Sequence, residues 1–329
     1  MSTILITGPS NYLGYHVIKL LNQRGVRPRA LLRSGDGETS KAVKELKKLT
    51  IDEFEGGVED LPSLKAACKG VDTVCHMDFV LKLGGGKDVE KALYEGNVLG
   101  TRNVLDAATQ AGVARVVVSS SVLTVGVNRE PKPLDETADW ETYGFGLPYA
   151  LSRRQAEQEA LARPCGAGLP TIVAANVSLT MGPGEGAPAN VLVRKMANGS
   201  IRITAPIGVG VVDVRDFAEG VLLAAEKGHH GRRYILSGEN LTPEILLKEV
   251  AVVSGTQPPG FLFPLKKWML YPLITVYELV SRVSGKTPKI TRSILQLWDR
   301  HAWYDTTLAR TELGWEPRPL RETLRDTLN

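Results

Sequence analysis

The chain is short of cysteine and aromatic residues, and no long apolar run occurs in it. Three thiols, Cys68, Cys75 and Cys165, are scattered over 329 residues with no CxxC spacing. This excludes a disulfide framework and a cysteine-held metal, and points to a reducing compartment. No apolar stretch reaches the roughly 18 residues that a membrane-spanning helix needs. A strand begins almost at once, with no basic leader and apolar signal core before it, so a cytoplasmic location is expected. Charge is also scarce in the net, at +4. With no basic stripe interleaved with aromatics, a nucleic-acid partner is not expected. There is no internal repeat and no low-complexity segment.

What is present is an ordinary globular composition, 43% hydrophobic, long enough for one large α/β domain and a smaller appended part. The first fourteen residues are the most informative. Ile4-Leu5-Ile6 is a short apolar run suited to a fully buried parallel strand. It breaks into Thr7-Gly8-Pro9-Ser10-Asn11-Tyr12-Leu13-Gly14, and a helix-period stretch with Val17, Ile18, Leu20 and Leu21 follows. Strand, glycine turn and helix together hold a dinucleotide pyrophosphate. The turn is tight, backbone N–H groups face the phosphates, and the helix N-terminus adds partial positive charge.

Further strands are expected at Arg29–Arg33, Ile51–Phe54, Val71–His76 and Arg115–Ser119, then at Thr171–Ala175, Val211–Val214 and Arg233–Leu236. A Gly/Ser/Asp loop follows Arg33. Helices are expected at Lys41–Leu49 and Ser63–Cys68, over about Val89–Ala111, over Tyr149–Ala162, near Asp216, and from Thr242, which offers a cap with Pro243 after it. This alternation implies a Rossmann-type, doubly wound parallel sheet. Residues 1–175 would form the dinucleotide-binding domain, with the Val211–Phe217 and Arg233–Leu236 regions returning to it. Residues 176–329 would be mainly a substrate-binding region.

Three sets of side chains suggest chemistry. Ser119-Ser120-Ser121 ends the fifth strand, at the sheet edge where α/β ligands bind. Tyr149 opens a helix with Arg153 at i+4, on the same face. A neighbouring cation stabilises a phenolate, whose ordinary pKa of about 10 is too high for work near neutrality. Arg33 lies about twenty residues past the turn, where a cation suits a ribose 2′-phosphate. NADP(H) is therefore preferred, with NAD(H) as the alternative. His76 reads as structural, satisfied by backbone. Trp140, Tyr143 and Phe145 precede Tyr149 and suit the lining of a substrate pocket. Phe261 to Val280 is the most apolar region, and Trp268, Met269, Tyr271 and Tyr277 there suit an apolar lid or a peripheral membrane contact.

The chain resembles an extended short-chain dehydrogenase/reductase of the NAD(P)-dependent epimerase/dehydratase family. Within that family it is most similar to dihydroflavonol-reductase-like, 3β-hydroxysteroid-dehydrogenase-like and hopanoid-associated epimerase-like members. The resemblance rests on Thr7-Gly8 to Gly14, Gly96-Asn97 to Asn103, Val118 to Ser121, Tyr149-x-x-Ser152-Arg153-x-x-Ala156-Glu157, Gly182-Pro183-Gly184, Val212 to Asp216, Arg233 to Thr242 and Asp305 to Trp315. It implies that Ser121, or its neighbour Ser120, orients the substrate oxygen and that Tyr149 donates the proton in reduction. The residue at 153 would bind the nicotinamide ribose and lower the phenol pKa. Gly8 and Gly14 would shape the pyrophosphate turn, and Asn97 would position the active-site strand and helix. The expected cofactor contacts are the turn (Thr7, Gly8, Ser10, Asn11, Tyr12, Leu13, Gly14), Arg33, Gly57 and Val58, Met77, Asn97, Ser119, Asn176 and Ser178; no metal is expected.

Five departures surround that cofactor. Arg153 replaces the family's lysine, keeping the charge but not the ability to pass a proton. Asn11 stands at the family's middle glycine, with its side chain expected where pyrophosphate lies. Gly57 occupies the place of a frequent aspartate, Asp78 and Phe79 replace small residues, and Val177 replaces a frequent proline. The expected function is NADPH-dependent reduction of a ketone or enone of a largely apolar small molecule, or the reverse oxidation. The alternatives are a nucleotide-sugar epimerase or dehydratase, for which Arg194, Lys195, Arg202 and Arg215 could meet a diphosphate, and a catalytically impaired binding protein. A homodimer is a further expectation.

Overall fold

The computed structural model describes all residues except 1, 2, 34–40, 261, 285–287, 289 and 290. The loop expected after Arg33 therefore falls outside the described residues, and the apolar region is described from Leu262 onward.

Seven strands form one parallel sheet: β1 (Ile4–Thr7), β2 (Arg29–Leu32), β3 (Asp52–Glu55), β4 (Thr73–His76), β5 (Arg115–Ser121), β6 (Thr171–Val177) and β7 (Arg233–Leu236). Their order is β7-β6-β5-β4-β1-β2-β3, the doubly wound arrangement expected. Leu5, Ile6, Val74 and Val116 are wholly inaccessible because helices cover both faces. Each such burial contributes about 1.5–3 kcal/mol, so an unbroken apolar strand outcompetes any alternating one here. Strand order reverses between β1 and β4, which pair from Ile4–Thr73 to Thr7–His76. The crevice over that switch point is where such sheets bind ligands.

Arg233–Leu236 pairs with β6 at the sheet edge. The strand near residue 211 runs from Gly208 to Asp213 and belongs to a second, smaller sheet with Leu179–Met181, Glu239–Leu241 and His301–Ala302. The helix that leaves it, Val214–Lys227, packs back on the large sheet, where Phe217, Ala218 and Val221 enter its core. Trp315 is fully buried in the same core and donates its indole N–H to the Asp216 carbonyl at 2.7 Å.

The helix expected as one piece over Val89–Ala111 is three: α-helix at Lys87–Leu93, a π-helical segment at Tyr94–Leu99, and α-helix at Gly100–Gln110. Such wide turns insert a residue and re-aim side chains, often at functional sites. Asn97 lies in it.

Candidate active site

The glycine turn is held by contacts that its residue types make obligatory. Gly8 has φ of +63°, and a Cβ there would come within 2.7 Å of the Asp78 backbone. A Cβ on Gly14 would come within 2.2 Å of the Gly8 carbonyl, so both positions need glycine. Asn11 caps the helix Tyr12–Gln23: its Oδ1 accepts from the Gly14 N–H at 2.8 Å, and its Nδ2 donates to the Met77 carbonyl at 2.6 Å. The side chain expected at the pyrophosphate is thus used to cap the helix and tie the turn to the end of β4. The amides of Tyr12 and Leu13 in the first turn have no intrahelical acceptor by construction and suit an anion.

Other turn residues act from beneath. Thr7 hydrogen-bonds His76 Nδ1 at 2.7 Å, and His76 Nε2 meets the Thr101 hydroxyl at 3.1 Å. His76 is therefore satisfied by two hydroxyls, not by backbone as expected. Burial, with Arg153 and Arg33 nearby, pushes its pKa down to about 3, so the ring is neutral. Leu13 packs in the core. Tyr12 donates to the Pro183 carbonyl at 3.2 Å, clamping that loop onto the first helix.

At the adenosine end, a cavity of about 230 Å³ is lined by Gly8, Ser10, Asn11, Arg33, Gly57, Val58 and Asp78, among others. Arg33 is not an open cation there. Its Nη2 pairs with Asp78 at 2.8 Å and lies 3.5 Å from Glu59.

The catalytic candidates converge. Pro148 starts the helix Pro148–Leu161, which places Tyr149 in its first turn and Arg153 one turn on; both are buried. Burial raises the phenol pKa above its ordinary value, and the Arg153 charge and a hydrogen bond with Ser121 offset only part of that rise, so the lowering expected from residue 153 does not prevail. Ser121 ends β5 and caps the short turn after it, accepting from the Leu123 N–H at 3.2 Å. Arg153 donates through Nη2 to the Ser119 carbonyl, pinning the helix to β5. Its charge sits 5.4 Å over the Phe79 ring.

Several buried polar atoms at this edge lack a protein partner: Arg153 Nε and Nη1, the hydroxyls of Ser119, Ser120 and Ser178, and Asn176 Oδ1. Buried donors and acceptors left open this way are costly. A ribose and a carboxamide, rich in hydroxyl, amide and carbonyl groups, fit such a set. The cradle of Gly8 and Gly14 fits a pyrophosphate. Metal is another matter: among the described residues no cluster of ligating side chains occurs.

Asn97 positions this machinery. Its amide bonds both the N–H and the carbonyl of Val80, at 2.7 and 3.0 Å, and the Ser152 hydroxyl at 2.9 Å. Asn176 acts from behind, donating to Thr124, Glu157 and the Ser121 carbonyl. Glu157 also faces Arg233 at 3.3 Å. Sequence reasoning did not give Glu157 a role; the available signal was its place one turn after Arg153, on the same face of the helix.

Phe145 and Trp140, 6.0 Å apart, pack in one cluster with Tyr149. The cations considered for a diphosphate do not gather. Arg194, Lys195 and Arg202 are exposed, and Arg215 is held by Asp213 at 2.7 Å and Asp326 at 2.6 Å.

Comparison with known proteins agrees with this fold. The sequence model of the NAD dependent epimerase/dehydratase family matches residues 4–237. A Synechocystis sp. protein that carries the provisional name dihydroflavonol 4-reductase is 30% identical, over 98% of this chain and 93% of its own length. Sterol demethylase protein B of Methylococcus capsulatus is 27% identical, over 99% and 97%. The crystal structure of gox2253 superposes with a TM-score of 0.82 at 30% identity, covering 100% of this chain and 97% of that one.

Proposed function

Because the chain belongs to the NAD-dependent epimerase/dehydratase family, as an NAD(P)-dependent enzyme of the extended short-chain dehydrogenase/reductase type, we propose that it reduces a ketone or enone of a largely apolar small molecule. The observation that carries this reading is the convergence of Tyr149, Ser121 and Arg153 beside open, buried hydrogen-bonding atoms at the carboxyl edge of β5 and β6.

In this reading the glycine turn and the Tyr12 and Leu13 amides would hold the pyrophosphate, Arg153 and Ser178 the nicotinamide ribose, and Arg33 a 2′-phosphate. The chemistry that a nicotinamide would supply there is hydride for the substrate carbon. The remaining work belongs to this chain. Tyr149 gives its phenolic proton to the oxygen that becomes the alcohol, and Ser121 hydrogen-bonds the same oxygen as negative charge builds on it. Arg153 keeps its proton at every working pH, so it acts by charge alone, stabilising the phenolate left behind. Phe79, Trp140 and Phe145 favour an apolar substrate and help to exclude water. The names of the two relatives, a flavonoid reductase and a sterol-processing protein, point the same way.

An epimerase would need a polar diphosphate site. The exposed Arg194, Lys195 and Arg202 and the carboxylate-bound Arg215 disfavour it. The test is stoichiometry. Incubation with NADPH and aromatic or alicyclic ketones is expected to release one NADP⁺ per alcohol formed. Conversion of UDP-glucose with no net cofactor oxidation would support the epimerase instead.

A further inference from the structure

The helix Lys267–Val283 is built inside out. Its buried members are Glu278 and Ser281, both polar. Most of its large apolar side chains face outward: Trp268 is 71% exposed, Val276 60%, Leu279 61% and Val283 83%, while Met269, Leu270 and Ile274 are half-buried. At helical spacing these four share one stripe, roughly opposite Glu278 and Ser281. A helix that packed by its apolar face would show the reverse.

Charge follows the same division. Glu278, the helix's only carboxylate, is turned inward and accepts from the Arg292 backbone N–H at 2.6 Å and its Nε at 3.0 Å. The outer stripe therefore carries no negative charge, and exposed Lys266 and Lys267 flank its start. Residues 261–300 hold seven Lys or Arg against two carboxylates, in a chain whose net charge is +4. This segment, at +5, thus holds more than the chain's whole positive excess, and the remainder carries a net −1. An apolar stripe with no carboxylate of its own, edged at its start by Lys266 and Lys267 and carrying a tryptophan there, complements an anionic lipid surface, although Asp299 and Glu244 line the groove beside Trp268. Among the described residues no helix is long and apolar enough to cross a membrane, so this helix would lie in the interface plane.

The stripe is also connected to the chemistry. The Arg292–Leu297 segment that holds Glu278 ends in Leu297, which packs against the cluster of Phe145, Leu147 and Tyr149. Gln296 beside it accepts from the Gly146 N–H at 2.7 Å.

We propose that Lys267–Val283 docks the protein peripherally on an anionic bilayer, on the side of the molecule where the Arg292–Leu297 segment packs against the Tyr149 cluster. The docking does not depend on the redox reading, and its test uses neither cofactor nor substrate. The full chain is floated with phosphatidylcholine vesicles, with and without phosphatidylglycerol. It is expected to rise with the anionic vesicles only, and less so at high salt. The triple variant Trp268→Ser, Val276→Ser, Leu279→Ser alters only exposed side chains and is expected to lower the bound fraction roughly tenfold or more. Lys266→Glu with Lys267→Glu is expected to weaken binding without touching the stripe. Three results would overturn the proposal: a wild-type chain that stays down with anionic vesicles, flotation unchanged in the triple variant, or a stable dimer that the triple variant dissolves, which would assign the stripe to a second copy of the chain.

Discussion

Arg33 and Asp78 face each other across the crevice at 2.8 Å, and under the proposed function they would set how strongly a 2′-phosphate is drawn in. Asp78 neutralises much of the charge that NADPH would otherwise use, and Glu59 adds to this. Asp78→Ala is therefore expected to tighten NADPH relative to NADH by roughly tenfold, about one charge-assisted hydrogen bond. Arg33→Ala is expected to shift the ratio the other way. Cofactor fluorescence titrations read both, and an unchanged ratio in each variant would remove this pair from cofactor choice. Arg33 itself was legible in the sequence because its distance from the glycine turn is a local count. Its partner was not, because Asp78 lies 45 positions away and nothing short-range announces the pair. Tyr149 and Arg153 were legible for the same reason as Arg33: one helical turn fixes their shared face.

Hydrogen-bonded elements, not single residues, keep the crevice in shape. Thr7 of β1, His76 of β4 and Thr101 of the helix Gly100–Gln110 form one buried chain, and Thr101 continues to the Asn97 carbonyl at 2.7 Å. The chain works with a neutral imidazole. Unfolded, His76 takes up a proton near pH 6.5; folded, it does so only near 3. Between those values the unfolded state binds more protons, so stability is full above about pH 6.5 and falls as the solution is acidified. Urea unfolding is expected to give a stability about 2 kcal/mol lower at pH 5 than at pH 7 from this residue. His16, whose pKa is pushed down to about 4 by burial, adds a loss of the same sign. Equal stabilities at the two pH values would contradict the buried neutral ring. The π-helical segment that carries Asn97 was invisible in the sequence, since a single inserted residue barely disturbs helical periodicity. Its consequence is large, because it turns the Asn97 amide toward Val80 and Ser152 at once.

Across the whole molecule, the parallel sheet was readable because strands buried on both faces are written as short apolar runs between turns. The second sheet was not, because its strands are two to six residues long and come from four separate segments. The helix Lys267–Val283 was legible as apolar, but only its burial pattern reveals that Glu278 and Ser281 face inward. These features meet around Tyr149, which joins the sheet edge through Ser121 and lies in the cluster against which Leu297 packs, at the end of the segment that Glu278 ties to the outer helix. The most direct measurement pairs NADPH titration with turnover in Tyr149→Phe. Unaltered NADPH affinity with turnover reduced about 10²–10⁴-fold is expected, because only the proton donor is lost; a variant that reduces substrate as fast as the natural chain would contradict the assignment.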